Sequence, residues 1–148
     1  MRSKAVILAF TIAVLAATGG LLRLTVAPVW DGLRARELRI QKCEACGAGV
    51  FYPRVVCPSC GSRKLAWVVT AGRATLHAFT IAHRGVPGPF KTAAPYVVAL
   101  VDLEGGGRIM ANLVGVQPTP EAIRIGMRLT ATYEDVTDAV TLLRFAPE

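Results

Sequence analysis

The sequence predicts a mainly β protein in which a short N-terminal helix and a small metal-binding ribbon precede a five-stranded barrel. Two observations carry this prediction. Four cysteines stand in two identical C-x-x-C-G motifs between residues 43 and 61. After residue 66 the chain consists of short β-like runs divided by turn signals. With 148 residues, the chain has room for one compact domain and a small appendage.

Residues 1–27 form an apolar N-terminal extension. Residues 1–4 are short and basic and residues 5–22 carry no charge, as in a secretory signal or a minimal membrane anchor. An exported chain would carry its cysteines into an oxidising compartment, where disulfides compete with metal binding. We therefore expect a cytoplasmic protein with a dispensable extension or a start codon assigned too far upstream. The alternatives are a membrane anchor or an export signal in residues 1–22, or a helix buried in a complex.

Residues 28–41 predict a short helix, extending to Leu38, and its lead-in to the ribbon. Helical spacing places Val29, Trp30 and Leu33 on one side, while Gly32 weakens the helix. A helix this short is marginal alone, so its apolar side must dock either on its own domain or on a partner.

Residues 42–65 predict a metal ribbon with the ligands Cys43, Cys46, Cys57 and Cys60. Two residues between cysteines let both sulfurs reach one ion from a tight turn, and the glycine after each pair allows a positive φ. Four protein ligands leave no open position for substrate, so we expect a structural zinc ion. Four thiolates also hold a single redox iron, and a pair of disulfides is a further alternative.

Residues 66–148 predict the barrel, with strands at 72–83, 96–103, 108–114, 129–136 and 140–145. Residues 104–107 read as a glycine turn, and Thr119-Pro120-Glu121 as a short helical turn. Alternation in the first strand predicts Thr75, His77, Phe79 and Ile81 on one face. His77 and His83 would then lie about 20 Å apart and cannot share an ion.

The charge of the chain favours an anionic partner without selecting one. Seventeen basic and ten acidic residues give +7, and four thiolates with one divalent ion reduce this to about +5. Phosphate groups, nucleic acid and acidic protein surfaces all fit such a balance.

Several segments occurring together carry a family resemblance. They are Trp30-Asp31-Gly32-Leu33, Leu38 to Cys43, Tyr52-Pro53-Arg54, Cys57-Pro58-Ser59-Cys60, Thr80 to Arg84, Pro95 to Val101, Asn112 to Gly115 and Ile125-Gly126-Met127. This set resembles the DUF35 family, in which a helix and a rubredoxin-like zinc ribbon precede an OB-fold. The resemblance implies an acyl-CoA-binding accessory subunit or scaffold of a thiolase-like enzyme in lipid, sterol or aromatic acyl-CoA metabolism. The partner would supply the catalytic cysteine.

Candidate site residues follow from this expectation. For CoA we expect cations and aromatic side chains in and beside the loop after the first barrel strand, namely Phe79, His83, Arg84, Phe90 and Lys91. For the partner interface we expect Trp30, Leu33, Tyr52 and Arg54. No G-x-S-x-G motif, phosphate loop or spare cysteine indicates an active site of its own.

A nucleic-acid-binding module is the alternative function, because zinc ribbons and OB-folds both bind nucleic acid. That function needs aromatic residues interleaved with lysine and arginine on the strand faces. Only four aromatic residues fall in the predicted barrel strands, which favours the accessory subunit.

Overall fold

The computed structural model describes residues 26–84 and 94–148, which form one helix, eight strands and a short 3-10 turn. The helix, α1, covers 26–34. The strands are β1 Arg39–Cys43, β2 Gly49–Val50, β3 Leu65–Val69, β4 Arg73–Ala82, β5 Tyr96–Leu103, β6 Arg108–Leu113, β7 Arg128–Thr137 and β8 Val140–Pro147, and the 3-10 turn is Pro120–Ala122. Nearly all of the predicted apolar extension lies outside the described residues. Within 26–84 and 94–148 no helix is long and apolar enough to cross a membrane.

Five strands close into a barrel in the order β4-β5-β6-β8-β7, and β7 returns to β4. Neighbouring strands are antiparallel except β6 and β8, which pair in parallel through Leu113 and Phe145. Strand number and closure are those of an OB-fold, so the predicted five-stranded barrel is confirmed. β5 shows why the sequence folds this way, because Val97, Ala99 and Val101 alternate inward while the residues between them face outward.

A bulge in β4 changes which of its residues face the core. The register to β5 shifts between Leu76 and Ala78, and one extra residue reverses the alternation beyond it. Leu76, before the bulge, is buried, and after the bulge Phe79 and Ile81 turn inward against the core. The prediction that Phe79 and Ile81 share a face with His77 is wrong. A bulge cannot be recognised from the alternation of residue types along the strand.

Helix α1 ends four residues earlier than predicted. Arg36 has φ of 58°, and the N–H of Glu37 donates to the carbonyl of Gly32 at 2.8 Å, which closes the helix with a left-handed cap. A Cβ on Gly32 would stand 2.7 Å from the Glu37 carbonyl oxygen, so this glycine permits the chain reversal. Leu38 then enters the barrel core, where it is 1% exposed.

The ribbon is a three-stranded sheet in the order β2-β1-β3, fused to the barrel. Leu38 and Ile40 belong to the barrel's hydrophobic core, which ties the entry strand of the ribbon to it. Glycines allow the ribbon and the barrel to approach each other closely. A Cβ on Gly49 would meet the Gly105 carbonyl oxygen at 2.4 Å, and one on Gly107 would meet Phe51 at 3.1 Å. The predicted turn at residues 104–107 thus also forms the surface against which the ribbon packs.

Candidate metal centre and adjoining cleft

Two similar turns present the four cysteines. The N–H of Gly47 donates to the Cys43 carbonyl at 2.8 Å, and the N–H of Gly61 donates to the Cys57 carbonyl at 2.9 Å. Both glycines have positive φ, 74° and 73°, as the motif predicted. Each turn therefore holds its second cysteine back toward the first, with both sulfurs aimed at one point.

The sulfur atoms are spaced for a single tetrahedral ion. All four lie within 4.8 Å of one another, with Cys43 and Cys60 at 3.6 Å and Cys46 and Cys57 at 3.7 Å. A tetrahedral zinc with bonds of about 2.3 Å requires sulfur separations of about 3.8 Å. A disulfide needs about 2.05 Å, and all four cysteines are free, so the disulfide alternative does not fit. The donor set suits a structural metal with no position left for substrate.

The electrostatics of the four thiols also calls for a cation. The backbone N–H of Cys46 lowers the pKa of Cys43. Burial raises the pKa of Cys57, but the backbone N–H groups of Ser59 and Cys60 outweigh it and bring the pKa to about 6. The backbone N–H of Ser62 acts to lower the pKa of Cys60. Hydrogen bonds between the Cys60 thiol and the neighbouring cysteine sulfurs nevertheless raise this pKa to about 12. Thiolates this close cannot all ionise together unless a metal ion neutralises them.

The polypeptide between the two knuckles forms one wall of an apolar cleft of about 350 Å³. Its other walls come from α1, β6 and β8. Three of the predicted interface residues, Trp30, Leu33 and Tyr52, meet in this cleft. Its barrel wall, which includes Met110 and Leu142, could not be recognised from the sequence. Only non-local folding brings these segments together, so no local pattern could have identified the cleft.

The predicted interface residues differ in how far their side chains are exposed. Trp30 and Tyr52 are 52% and 54% exposed, but Leu33 is 5% exposed. Leu33 thus packs mainly within the chain, and its place at a partner surface stays a prediction. The backbone N–H of Arg54 donates to Gln41 Oε1 at 2.7 Å. Gln41 is buried, so this bond fixes the loop while the Arg54 side chain stays exposed.

The residues predicted to bind CoA are not gathered into one place by the described part of the chain. His83 and Arg84 are exposed just beyond the end of β4. Phe79 packs against the barrel core. Phe90 and Lys91 lie outside the described residues, so their role stays a prediction.

His77 belongs to a charged cluster on the barrel surface. Arg108 donates to both carboxylate oxygens of Asp102, at 2.6 and 3.1 Å, and its Nη2 lies 3.0 Å from His77 Nδ1. The side chains are close to half exposed. This geometry indicates a surface cluster around the Arg108–Asp102 ion pair that joins β4, β5 and β6, a structural role for this histidine.

Asp102 should make a small contribution to stability that disappears in acid. The hydrogen bond from Arg108 holds the pKa of Asp102 below its ordinary value of 3.8. Protonation therefore favours the unfolded chain, and the stabilisation is complete well above pH 3.8 and is lost as the pH falls through the lower folded pKa. For so exposed a pair, Asp102→Asn should lower the free energy of unfolding at pH 7 by under about 1 kcal/mol. Urea unfolding from pH 7 down to pH 3 checks this, and a difference between variant and parent that stays constant with pH would contradict it.

Comparison with known proteins gives two consecutive family matches. Residues 30–66 match the ChsH2 rubredoxin-like zinc ribbon domain, and residues 67–134 match the ChsH2 C-terminal OB-fold domain. In solved structures, a chain of an Ltp2-ChsH2(DUF35) aldolase aligns with a TM-score of 0.72 at 35% identity, covering 83% of this chain and 94% of that one.

Three curated relatives each match about three quarters or more of this chain. A probable enoyl-CoA hydratase alpha subunit of Thermomonospora curvata is 36% identical over 80% of this chain and 36% of its own length. A 3-oxo-4,17-pregnadiene-20-carboxyl-CoA hydratase alpha subunit of Mycobacterium tuberculosis is 39% identical over 74% of this chain and 33% of its own length. The chain thus spans about a third of each of these two proteins.

The third relative is a DUF35 domain-containing scaffold protein of Methanocaldococcus jannaschii, which is 30% identical over 74% of this chain and 77% of its own length. Here the match extends over most of both proteins. With the ribbon geometry and the barrel topology, these matches show that the chain belongs to the DUF35 family of zinc-ribbon and OB-fold proteins.

Proposed function

We propose that this chain is a non-catalytic accessory subunit that binds acyl-CoA and completes a thiolase-like enzyme of lipid, sterol or aromatic acyl-CoA metabolism. Its parts would be a helix and lead-in at 28–41, a ribbon at 42–65 that holds structural zinc, and an OB-fold at 66–148. We place it in the cytoplasm. The relatives named above, which are scaffold proteins and subunits of enzymes acting on CoA thioesters, support this proposal.

The observation that carries the proposal is an apolar surface on α1 and the loop between the knuckles. Trp30 and Tyr52 are more than half exposed, and Val55, on the same loop as Tyr52, is 70% exposed. Large apolar side chains held rigidly at a surface are the anchors that protein interfaces use most. The metal and the Gln41–Arg54 hydrogen bond fix this loop, so it offers a preorganised surface to a partner.

The cysteine inventory supports a non-catalytic role. The chain contains four cysteines, and all four face the metal centre. None remains to form an acyl thioester, so a catalytic cysteine would have to come from the partner.

The outer face of β5 and β6 supports this proposal over the nucleic-acid alternative. In OB-folds the corresponding strands form the face that binds oligonucleotides. Here that face presents Val98, Leu100 and Met110 around shallow hollows. Binding of single strands needs cations beside stacking aromatics. Tyr96 and Phe79 line these hollows, but no lysine or arginine is among the described residues that do.

Trp30→Ala should weaken assembly with the partner without removing the metal. Truncating an interface tryptophan costs roughly 2 kcal/mol or more, which is about a 30-fold loss of affinity. The measurement is calorimetric titration, without acyl-CoA, of the chain into the thiolase-like protein encoded nearest to it. Val69→Ala is a matched control, because Val69 is 58% exposed on β3, away from the cleft. Unchanged affinity in Trp30→Ala would remove α1 from the interface.

A further inference from the structure

The apolar cleft has the size and openness of a ligand site. Trp30 lines it from α1, Tyr52 from the loop between the knuckles and Leu142 from β8. Met110 stands at its mouth and is 59% exposed. An apolar cavity of about 150 Å³ already binds benzene, and small-molecule sites begin at about 300 Å³. The cleft of about 350 Å³ therefore has room for the apolar part of a ligand.

A strip of apolar surface, here called the apolar track, runs from Met110 at this cleft across the outer face of the barrel to Tyr96 and ends near a cation. Met110 also lines two shallower hollows, of about 240 and 250 Å³, on the outer face of β4, β5 and β6. One hollow extends to Tyr96, the first residue of β5. Leu100, the pairing partner of Met110, is four residues from Tyr96, which is about 13 Å along a strand.

The far end of the track carries positive charge. Tyr96 pairs with Ala82, the last residue of β4, and Arg84 follows two residues later with an exposed side chain. No ion pair or hydrogen bond holds the Arg84 guanidinium within the described part of the chain. A ligand with one apolar end and one anionic end thus matches the surface in both character and direction.

We infer that the cleft holds the acyl group of an acyl-CoA, with the thioester beside Met110 and the CoA arm directed along β5 toward Arg84. This inference rests on the proposed acyl-CoA-binding function and gives it a site and an orientation. It makes Trp30 a wall of the acyl site on its inner side, while the exposed half of the indole remains available to the partner.

Trp30 supplies the signal for a direct test with the metal-loaded full chain. The chain contains two tryptophans, so Trp67→Phe leaves Trp30 as the only one. We expect acyl-CoA to shift the Trp30 emission to the blue, because an acyl chain displaces water from the ring, and CoA alone to leave it unchanged. Affinity should rise roughly tenfold for every two methylenes added, until the cleft is full.

Two substitutions test whether the change in Trp30 emission comes from a ligand bound in the cleft. In the single-tryptophan background, Met110→Glu should weaken acyl-CoA binding at least tenfold by placing a charge at the mouth, and Val29→Phe should do so by filling the cleft from α1. Ile125→Glu is the control, since Ile125 is 67% exposed and does not line the cleft. Equal affinities in the parent, Met110→Glu and Val29→Phe would overturn the inference.

Two other results would also overturn it. Equal binding of CoA and acyl-CoA with no change in Trp30 emission would leave the acyl group outside the cleft. Trp30 emission that is already blue-shifted in the free chain and does not change with acyl-CoA would indicate that the apolar residues 5–22 occupy the cleft. In both cases the accessory-subunit proposal stands, because assembly with the thiolase-like partner tests it separately.

Discussion

A Cys57→Ser variant is expected to lose its metal ion and the fold of the ribbon while the barrel remains folded. Three thiolates leave the tetrahedron incomplete, and binding a structural zinc contributes about 10–16 kcal/mol that serves as folding energy at such sites. Around Cys57 the ribbon has only a small core, formed with Cys43 and Val50. Without the ion, that core is too small to offset the entropy of ordering the loops.

The barrel should survive because its core is separate from the metal centre. Phe145, Leu129 and Val101 are fully buried among themselves and their neighbours, with no cysteine in the cluster. Its stability should nevertheless fall, since Ile40 on β1 belongs to the same core. Metal analysis and circular dichroism check both expectations. Ser59→Ala, an exposed change in the same knuckle, should retain the metal, and stoichiometric metal in Cys57→Ser would refute the four-ligand assignment.

The second large effect is expected from Gly49→Ala, which should force the ribbon away from the barrel. The new Cβ would stand 2.4 Å from the Gly105 carbonyl oxygen and 2.8 Å from the Gly106 carbonyl carbon, both backbone atoms of the β5–β6 turn. That turn cannot easily move, because Gly105 and Gly106 already hold φ near 95° and 99°. Overpacking of this kind costs about 1–3 kcal/mol or more.

A matched control separates this clash from the loss of a glycine as such. Gly126 has φ of 86°, and a Cβ there would meet nothing within 4 Å. Gly126→Ala should therefore cost only the left-handed backbone penalty of about 1–2 kcal/mol. Urea unfolding measures both, and the Trp30 emission should change in Gly49→Ala alone, because Phe51 is displaced from the cleft. Equal destabilisation of both variants with unchanged Trp30 emission would mean that the contact of Gly49 with the β5–β6 turn does not hold the ribbon against the barrel.

The features that could be predicted from sequence are those set by local spacing. The four ligands follow from two C-x-x-C-G motifs, and the strands follow from alternation and glycine turns. The structure confirms the positive φ of Gly47 and Gly61, which the motif requires. For the same reason residues 104–107 were predictable as a turn, since three consecutive glycines suit no other element.

The features that escaped prediction depend on contacts between distant parts of the chain. The bulge after Leu76 reverses the face of Phe79 without changing the alternation of residue types. Helix α1 ends before Leu38 because the barrel core takes that side chain. The cleft joins Trp30 to Leu142, more than a hundred residues apart. Each outcome is decided by tertiary packing that a single-sequence pattern does not contain.

We propose that this chain has no activity alone and is required by a thiolase-like partner. The direct measurement is steady-state turnover of acyl-CoA by the metal-loaded chain, by the thiolase-like protein encoded nearest to it, and by an equimolar mixture of the two. We predict turnover by the mixture that greatly exceeds the sum of the separate proteins. This chain alone should show no thiolase-type turnover, because all four of its cysteines face the metal centre and none remains to carry an acyl thioester. Enzyme-like turnover by the isolated chain, or a mixture no more active than its parts, would contradict the account.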